Sequence, residues 1–193
     1  MILHRLRLGI AAASVLAIAG SPAAAEIEKI MRVCDGKLCP FFKTSFTPRD
    51  GWVEDKENGQ RLNILGFVPR GQTFHSAGAI IYATARFNPD KKPVDAFIET
   101  DQANWRQKAR DVTITRRDDV ARANGKEPFR NFQYVAPSLK AQPFERVATT
   151  SDTDKDGNAY VVGLILTAKS EKALTAAEPT FLGMLKAFEF PED

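Results

Sequence analysis

The residues of this chain best placed for chemistry are oxygen ligands in alternation. In Asp152-Thr153-Asp154-Lys155-Asp156-Gly157-Asn158, the side chains of Asp152, Asp154, Asp156 and Asn158 fall two apart, followed or flanked by a glycine suited to a sharp turn. That is the first half of an oxygen-ligand calcium loop, in which alternate carboxylates converge on one cation. The twelfth position counted from Asp152 is Gly163, where a full loop places a bidentate glutamate. The segment therefore reads either as a solvated hairpin loop or as a weak calcium site, on the order of 10⁻⁴–10⁻³ M, and no other cofactor is called for.

A second candidate is His75 followed by Ser76, within Phe74-His75-Ser76-Ala77-Gly78. It resembles a nucleophile elbow without the first glycine, and neighbours on an extended segment point to opposite faces, so His75 is poorly placed to serve Ser76 as a base. A hydrolase built on the two is the enzymatic alternative; a hydrogen-bonded loop histidine is the favoured reading. Asp118-Asp119 reads as hairpin surface, and Asp95 and Glu99 as the wet face of a helix. Arg110, Arg116, Arg117 and Arg122 make the densest basic stretch. Arg116, Arg117 and Arg122 are the candidate partner-binding residues, on a sheet edge with its loops around 110–130. Trp52 and Trp105 read as core aromatics. No phosphate-cradling glycine loop, dinucleotide fingerprint or zinc spacing is found, so no catalytic residue is assigned.

Cys34 and Cys39 are the two cysteines of the chain. Four residues separate them, which departs from the Cys-x-x-Cys redox spacing, and a zinc site would need further ligands nearby. A disulfide stapling an N-terminal arm is expected, provided the compartment is oxidising. The first 25 residues supply that compartment. Arg5 and Arg7 precede an apolar run from Leu8 to Gly20, and Ala23-Ala24-Ala25 is a small-residue cleavage site. The run is shorter than the ~20 residues needed to span a bilayer, so it reads as a cleaved signal peptide and the protein as periplasmic or secreted, with no membrane insertion afterwards.

Cleavage after Ala25 leaves 168 of the 193 residues, suited to one domain. Loss of Arg5 and Arg7 lowers Lys plus Arg from 27 to 25 against 24 Asp plus Glu. A net charge near +1 lacks the electrostatic footprint of a nucleic-acid binder. With 44% hydrophobic residues and thirteen phenylalanines, the composition is that of a globular core.

The elements that must position these residues follow from periodicity. Phe41–Phe46 reads as a short strand after an arm over 26–40. Trp52–Lys56 and Arg61–Phe67 read as a hairpin across Asn58-Gly59. The apolar run Ser76–Phe87 reads as a central strand covered on both faces, and Val94, Phe97, Ile98 and Trp105 share one face of a helix from Pro93 to about Ala109. Extended character returns over Asp111–Ala123, Phe129–Val135, Phe144–Thr150 and Ala159–Thr167. Ser170 is an N-cap for a final helix that Pro179 interrupts or restarts, with Phe181, Met184, Leu185 and Phe188 on one stripe. The whole is an α+β domain over 41–190, a largely antiparallel sheet covered by helices.

On several segments the chain resembles the PsbP-like family of α/β/α sandwiches, which has exported bacterial members besides the plant oxygen-evolving-complex subunit. The segments are Pro48…Gly51-Trp52, the Ala79-Ile80-Ile81-Tyr82 strand leading to the Phe97…Trp105 helix, the Asn124-Gly125-Lys126 hairpin, and Phe181-Leu182-Gly183-Met184-Leu185-Lys186-Ala187-Phe188-Glu189-Phe190. The resemblance implies a helix-covered sandwich and a non-enzymatic accessory or binding role with an envelope protein or small ligand as partner. The metal-binding histidines of some plant members have no counterpart here. A third reading is a calcium-stiffened structural envelope protein.

Overall fold

Alternation of side chains along the strands sorts the molecule into two faces of one sheet. A computed structural model describes residues 28–34, 37–44, 46–49, 51–62, 64–122, 125–153 and 157–188, with side chains described from Thr44 onward. The expected signal peptide lies outside the described residues, and the sulfur atoms of Cys34 and Cys39 lie outside the described side chains. In order, the elements are β1 (Glu28–Cys34), β2 (Lys37–Lys43), β3 (Trp52–Glu54), α1 (Lys56–Leu62), β4 (Leu65–Pro69), β5 (Ala79–Phe87), α2 (Val94–Lys108), β6 (Thr113–Val120), β7 (Phe129–Val135), β8 (Phe144–Thr153), β9 (Ala159–Ala168) and α3 (Glu171–Lys186). Strands β3-β4-β5-β9-β8-β7-β6 form one seven-stranded sheet in that spatial order, antiparallel throughout, with α2 and α3 on its faces. The expected α+β architecture is the one observed.

The central strands are β5, β9 and β8, and one face of them carries the main core. Ala79, Ile81 and Ala83 of β5 and Leu164 and Leu166 of β9 meet Leu174, Ala177, Phe181, Met184 and Leu185 of α3. Each large side chain withdrawn from water there contributes roughly 1.5–3 kcal/mol. Ser170 caps α3 as expected, its Oγ accepting from the Ala173 N–H at 3.2 Å. Pro179 does not interrupt α3, which is continuous from Glu171 to Lys186. The proline removes one hydrogen bond, to the carbonyl of Thr175. Both residues are exposed, so water reaches that carbonyl, and the buried stripe ending at Phe188 holds the helix through the position.

Three local expectations are corrected. The Phe41–Phe46 strand is instead β2, ending at Lys43 and pairing with β1, so the arm is a hairpin in which Cys39 lies opposite Arg32 and Cys34 opposite Lys37. Strand β5 starts at Ala79, because residues 74–76 form a turn. The Asn58-Gly59 pair is not a hairpin turn but lies inside α1, although β3 and β4 do pair, Val53 opposite Val68. The competing signal is Asp55, whose carboxylate accepts from the Asn58 backbone N–H at 3.2 Å and from its Nδ2 at 2.9 Å. Helix capping by an aspartate here outcompetes the turn preference of Asn-Gly. The same carboxylate accepts from the Phe74 N–H at 3.0 Å, tying α1 to the 74–76 turn. Asp55→Ala is expected to cost about 1–2 kcal/mol in urea denaturation, with α1 and the 74–76 turn losing amide-exchange protection together.

Candidate functional site

The opposite face of the sheet is less completely packed, and the reason lies in α2. Only Val94 and Ile98, near its N-terminus, are buried; they meet Val161, with Phe97 and Phe132 alongside. From Phe97 onward the helix stands over the sheet and leaves a solvent-open chamber of about 390 Å³ beneath it. Register builds its floor. Thr84 and Thr149 flank Gly163 of β9, Tyr82 and Val147 flank Ile165, and Tyr134 lies beside Glu145. A Cβ on Gly163 would sit 2.9 Å from Thr84 Oγ1 and 3.6 Å from Ile165 Cδ1, so this glycine opens space that any larger residue would close. Phe97, Asp101, Asn104 and Trp105 of α2 form the roof, with Arg86 and Lys108 exposed at the rim.

Two carboxyl groups enter the chamber from opposite walls. Burial raises the pKa of Glu145, assisted by the charge of Asp101, to about 8; the Lys108 charge and the Trp105 indole N–H oppose the shift. Burial also pushes the Asp101 carboxyl up, against a hydrogen bond from Tyr134 and the charge of Arg86. Tyr134 Oη donates to Asp101 Oδ2 at 3.2 Å, and its ring lies 5.3 Å from that of Trp105. Lys108 Nζ sits 5.1 Å over the Trp105 ring. Burial raises the Tyr82 hydroxyl above its usual range, with the charges of Glu145 and Asp101 adding to the effect, so it stays protonated. Among the described residues, neither Glu145 nor Asp101 has a cation within ion-pair distance. The hydroxyls of Tyr82, Thr84 and Thr149 make no hydrogen bond among the described residues. The chamber thus combines apolar and aromatic walls with convergent polar groups left open, the composition of a small-molecule site.

The sequence candidates lie elsewhere. Arg116 and Arg117 are exposed on the edge strand β6 as expected, but both are engaged: Arg116 pairs with Asp119 at 2.6 Å and stacks over Phe132, and Arg117 hydrogen-bonds to Gln133. A register irregularity between Arg117 and Val120 breaks the edge as a template for strand pairing. Arg122 is not a surface residue. It is 7% exposed, pairs with Asp152, and lies against the Phe129 and Phe188 rings at 5.8 and 5.3 Å. Contact with the two ring faces holds its guanidinium inward, where a carboxylate partner makes burial tolerable.

That pairing also corrects the calcium loop, because the first of its proposed ligands is committed to Arg122, with Lys126 Nζ 3.9 Å away. Asp154 and Asp156 lie outside the described residues, and Asn158 follows the loop at the start of the approach to β9. Among the described residues no cluster of metal-ligating side chains is found. His75 and Ser76 occupy the exposed 74–76 turn. Ser76 Oγ accepts from the Thr73 N–H at 2.9 Å, the His75 carbonyl accepts from Lys169 Nζ at 2.9 Å, and neither residue lines the chamber. Asp119 pairs with Arg116 and Arg130 on the surface, and Asp95 and Glu99 are exposed on α2, as read from the sequence. Trp52 packs against the main core as expected, whereas Trp105 is a half-buried wall of the chamber.

Sequence reasoning missed Glu145, Asp101, Tyr82, Tyr134 and Gly163. Two signals were present. Gly163 interrupts an otherwise apolar run in a central strand, which marks space or close approach, and Glu145 shares the inward alternation of Val147 and Thr149. Neither signal identifies the neighbouring strand, and only the pairing Tyr134↔Glu145↔Thr167 brings the polar groups together.

The fold and chamber define a class: an antiparallel α+β domain with a helix-roofed cavity on one sheet face. The chain matches no protein-family model, and no curated protein is significantly similar to it in sequence.

Proposed function

We propose that this chain is an exported, PsbP-like binding protein whose chamber between α2 and the sheet takes a small amphipathic molecule, recognising it without transforming it. The observation that carries the reading is the convergence of the Tyr82, Thr84 and Thr149 hydroxyls, none bonded to another described residue, with the Asp101 and Glu145 carboxyls in one cavity with aromatic walls. The three residues are half-buried and their hydroxyls are left to solvent by the chain; several such groups gathered beside aromatic walls in one concavity are the usual make-up of a small-molecule site. Export is supported by the pattern of residues 1–25, and the expected Cys34–Cys39 disulfide belongs with it. The hydrolase alternative draws no such support, since the Ser76 hydroxyl is held in the Thr73 turn.

The test uses 1-aminoanthracene, a neutral fluorophore that brightens in apolar cavities. The wild-type chain is expected to bind it, and Gly163→Leu and Thr149→Phe, which add bulk at the floor, are each expected to weaken binding at least about tenfold at unchanged fold by circular dichroism. Equal binding by wild type and both variants would show that the dye, and with it the working surface, lies elsewhere.

A further inference from the structure

We propose that the ligand is a small organic cation, an ammonium group on an aromatic or aliphatic body, held between Asp101 of α2 and Glu145 of β8. The proposal rests on the chamber being the binding site and deepens it by naming the ligand's charge. Three observations converge. First, the buried guanidiniums of Arg122 and Arg146 have carboxylate partners on the chain, Asp152 and Glu178, whereas the Asp101 and Glu145 carboxyls face the chamber with no cation within ion-pair distance among the described residues. Second, the rings of Trp105, Tyr134, Phe97 and Phe132 line the chamber, and two of them already hold cationic side chains of the chain, Lys108 at 5.1 Å from Trp105 and Arg116 at 4.8 Å from Phe132, the contact through which such rings attract an ammonium group. Third, Tyr82 and the two threonines offer unpartnered hydroxyl oxygens, which accept N–H donors.

The charged and titratable groups facing this point are few. From α2 come Asp101 and Lys108, from β5 Tyr82 and Arg86, from β7 Tyr134 and from β8 Glu145; β9 contributes Val161, Gly163 and Ile165, none of which titrates. The two basic side chains are exposed, Lys108 with its Nζ 5.1 Å over the Trp105 ring, so the carboxyls lie inside and the basic groups at the rim. In the empty chamber Glu145 holds its proton near neutrality. An ammonium that enters favours the carboxylate, so Glu145 releases that proton to solvent and binding tightens as pH rises.

The experiment is calorimetry of the full mature chain with tryptamine, which stays charged from pH 6 to 8, beside the neutral analogue 3-ethylindole. Tryptamine affinity is expected to rise close to tenfold per pH unit between pH 6 and 7.5, with about one proton released when buffers of different ionisation enthalpy are compared. Glu145→Gln should lose at least tenfold at pH 8 and flatten the pH profile, and Asp101→Asn should weaken binding without flattening it. Tryptamine binding that is flat with pH, unmoved by both variants, or no tighter than that of 3-ethylindole would overturn the cation. If 1-aminoanthracene or 3-ethylindole binds at the floor residues while tryptamine does not, the cation fails and the chamber stands; if none of the three binds, both fail.

Discussion

Asp152→Ala is expected to destabilise the protein by about 3–5 kcal/mol, because it strands Arg122 in the interior. The guanidinium side chain is 1% exposed, its carboxylate partner 9%, and the rings of Phe129 and Phe188 occupy the space that water would need to replace the lost partner. The pair also fastens the chain beyond β6 to the end of β8, across 30 residues of sequence. Attraction across the pair is offset by the cost of desolvating both ions, so removing both charges is much milder than removing one. The double variant Arg122→Met/Asp152→Leu should therefore recover most of the loss in urea denaturation. A single Asp152→Ala variant within about 1 kcal/mol of wild type would mean that Arg122 reaches water and that Asp152 is free for another role.

The second large effect is a pH dependence carried by Glu145. Its carboxyl titrates near 4.5 in an unfolded chain and near 8 in the folded one. A raised acid pKa means that the folded state binds the proton more tightly, so its contribution is fully present below pH 4.5 and is lost as pH rises through about 8. At about 1.4 kcal/mol per pH unit, the loss over that interval is on the order of 5 kcal/mol. Glu145→Gln keeps the shape and removes the titration, and the gap between variant and wild type is expected to widen steadily from pH 5 to 8 in favour of the variant. Burial pushes the Asp101 carboxyl up as well, and the difference between the two proteins isolates Glu145. A constant gap would show a carboxyl that solvent already reaches.

Strand and helix types were legible where the pattern was long. The continuous apolar, β-branched run of β5, the 3.6-residue stripe of α3 with its Ser170 cap, and the boundaries of β7 could be read directly, because burial on both faces leaves an unbroken run and burial of one face a periodic trace. The reading failed where two local signals competed: at Asn58-Gly59 against the Asp55 cap, and at Pro179 against the stripe that ends at Phe188. Charge misled in the other direction. Arg122 looks like its neighbours Arg116 and Arg117, and only the tertiary position of Phe129 and Phe188 separates a buried guanidinium from exposed ones. The chamber was least legible of all. Its polar groups come from α2, β5, β7 and β8, each carrying one or two, and no short segment holds enough of them to form a motif.

The claim on which the rest depends is that the helix-roofed face of the sheet is where this protein meets its ligand. Amide chemical-shift mapping during titration with tryptamine at pH 8 tests it residue by residue. Shifts concentrated at Thr84, Asp101, Trp105, Glu145, Thr149 and Gly163 are the predicted result. A map confined to β6 around Arg116 and Arg117, or to the exposed face of α3, would contradict it.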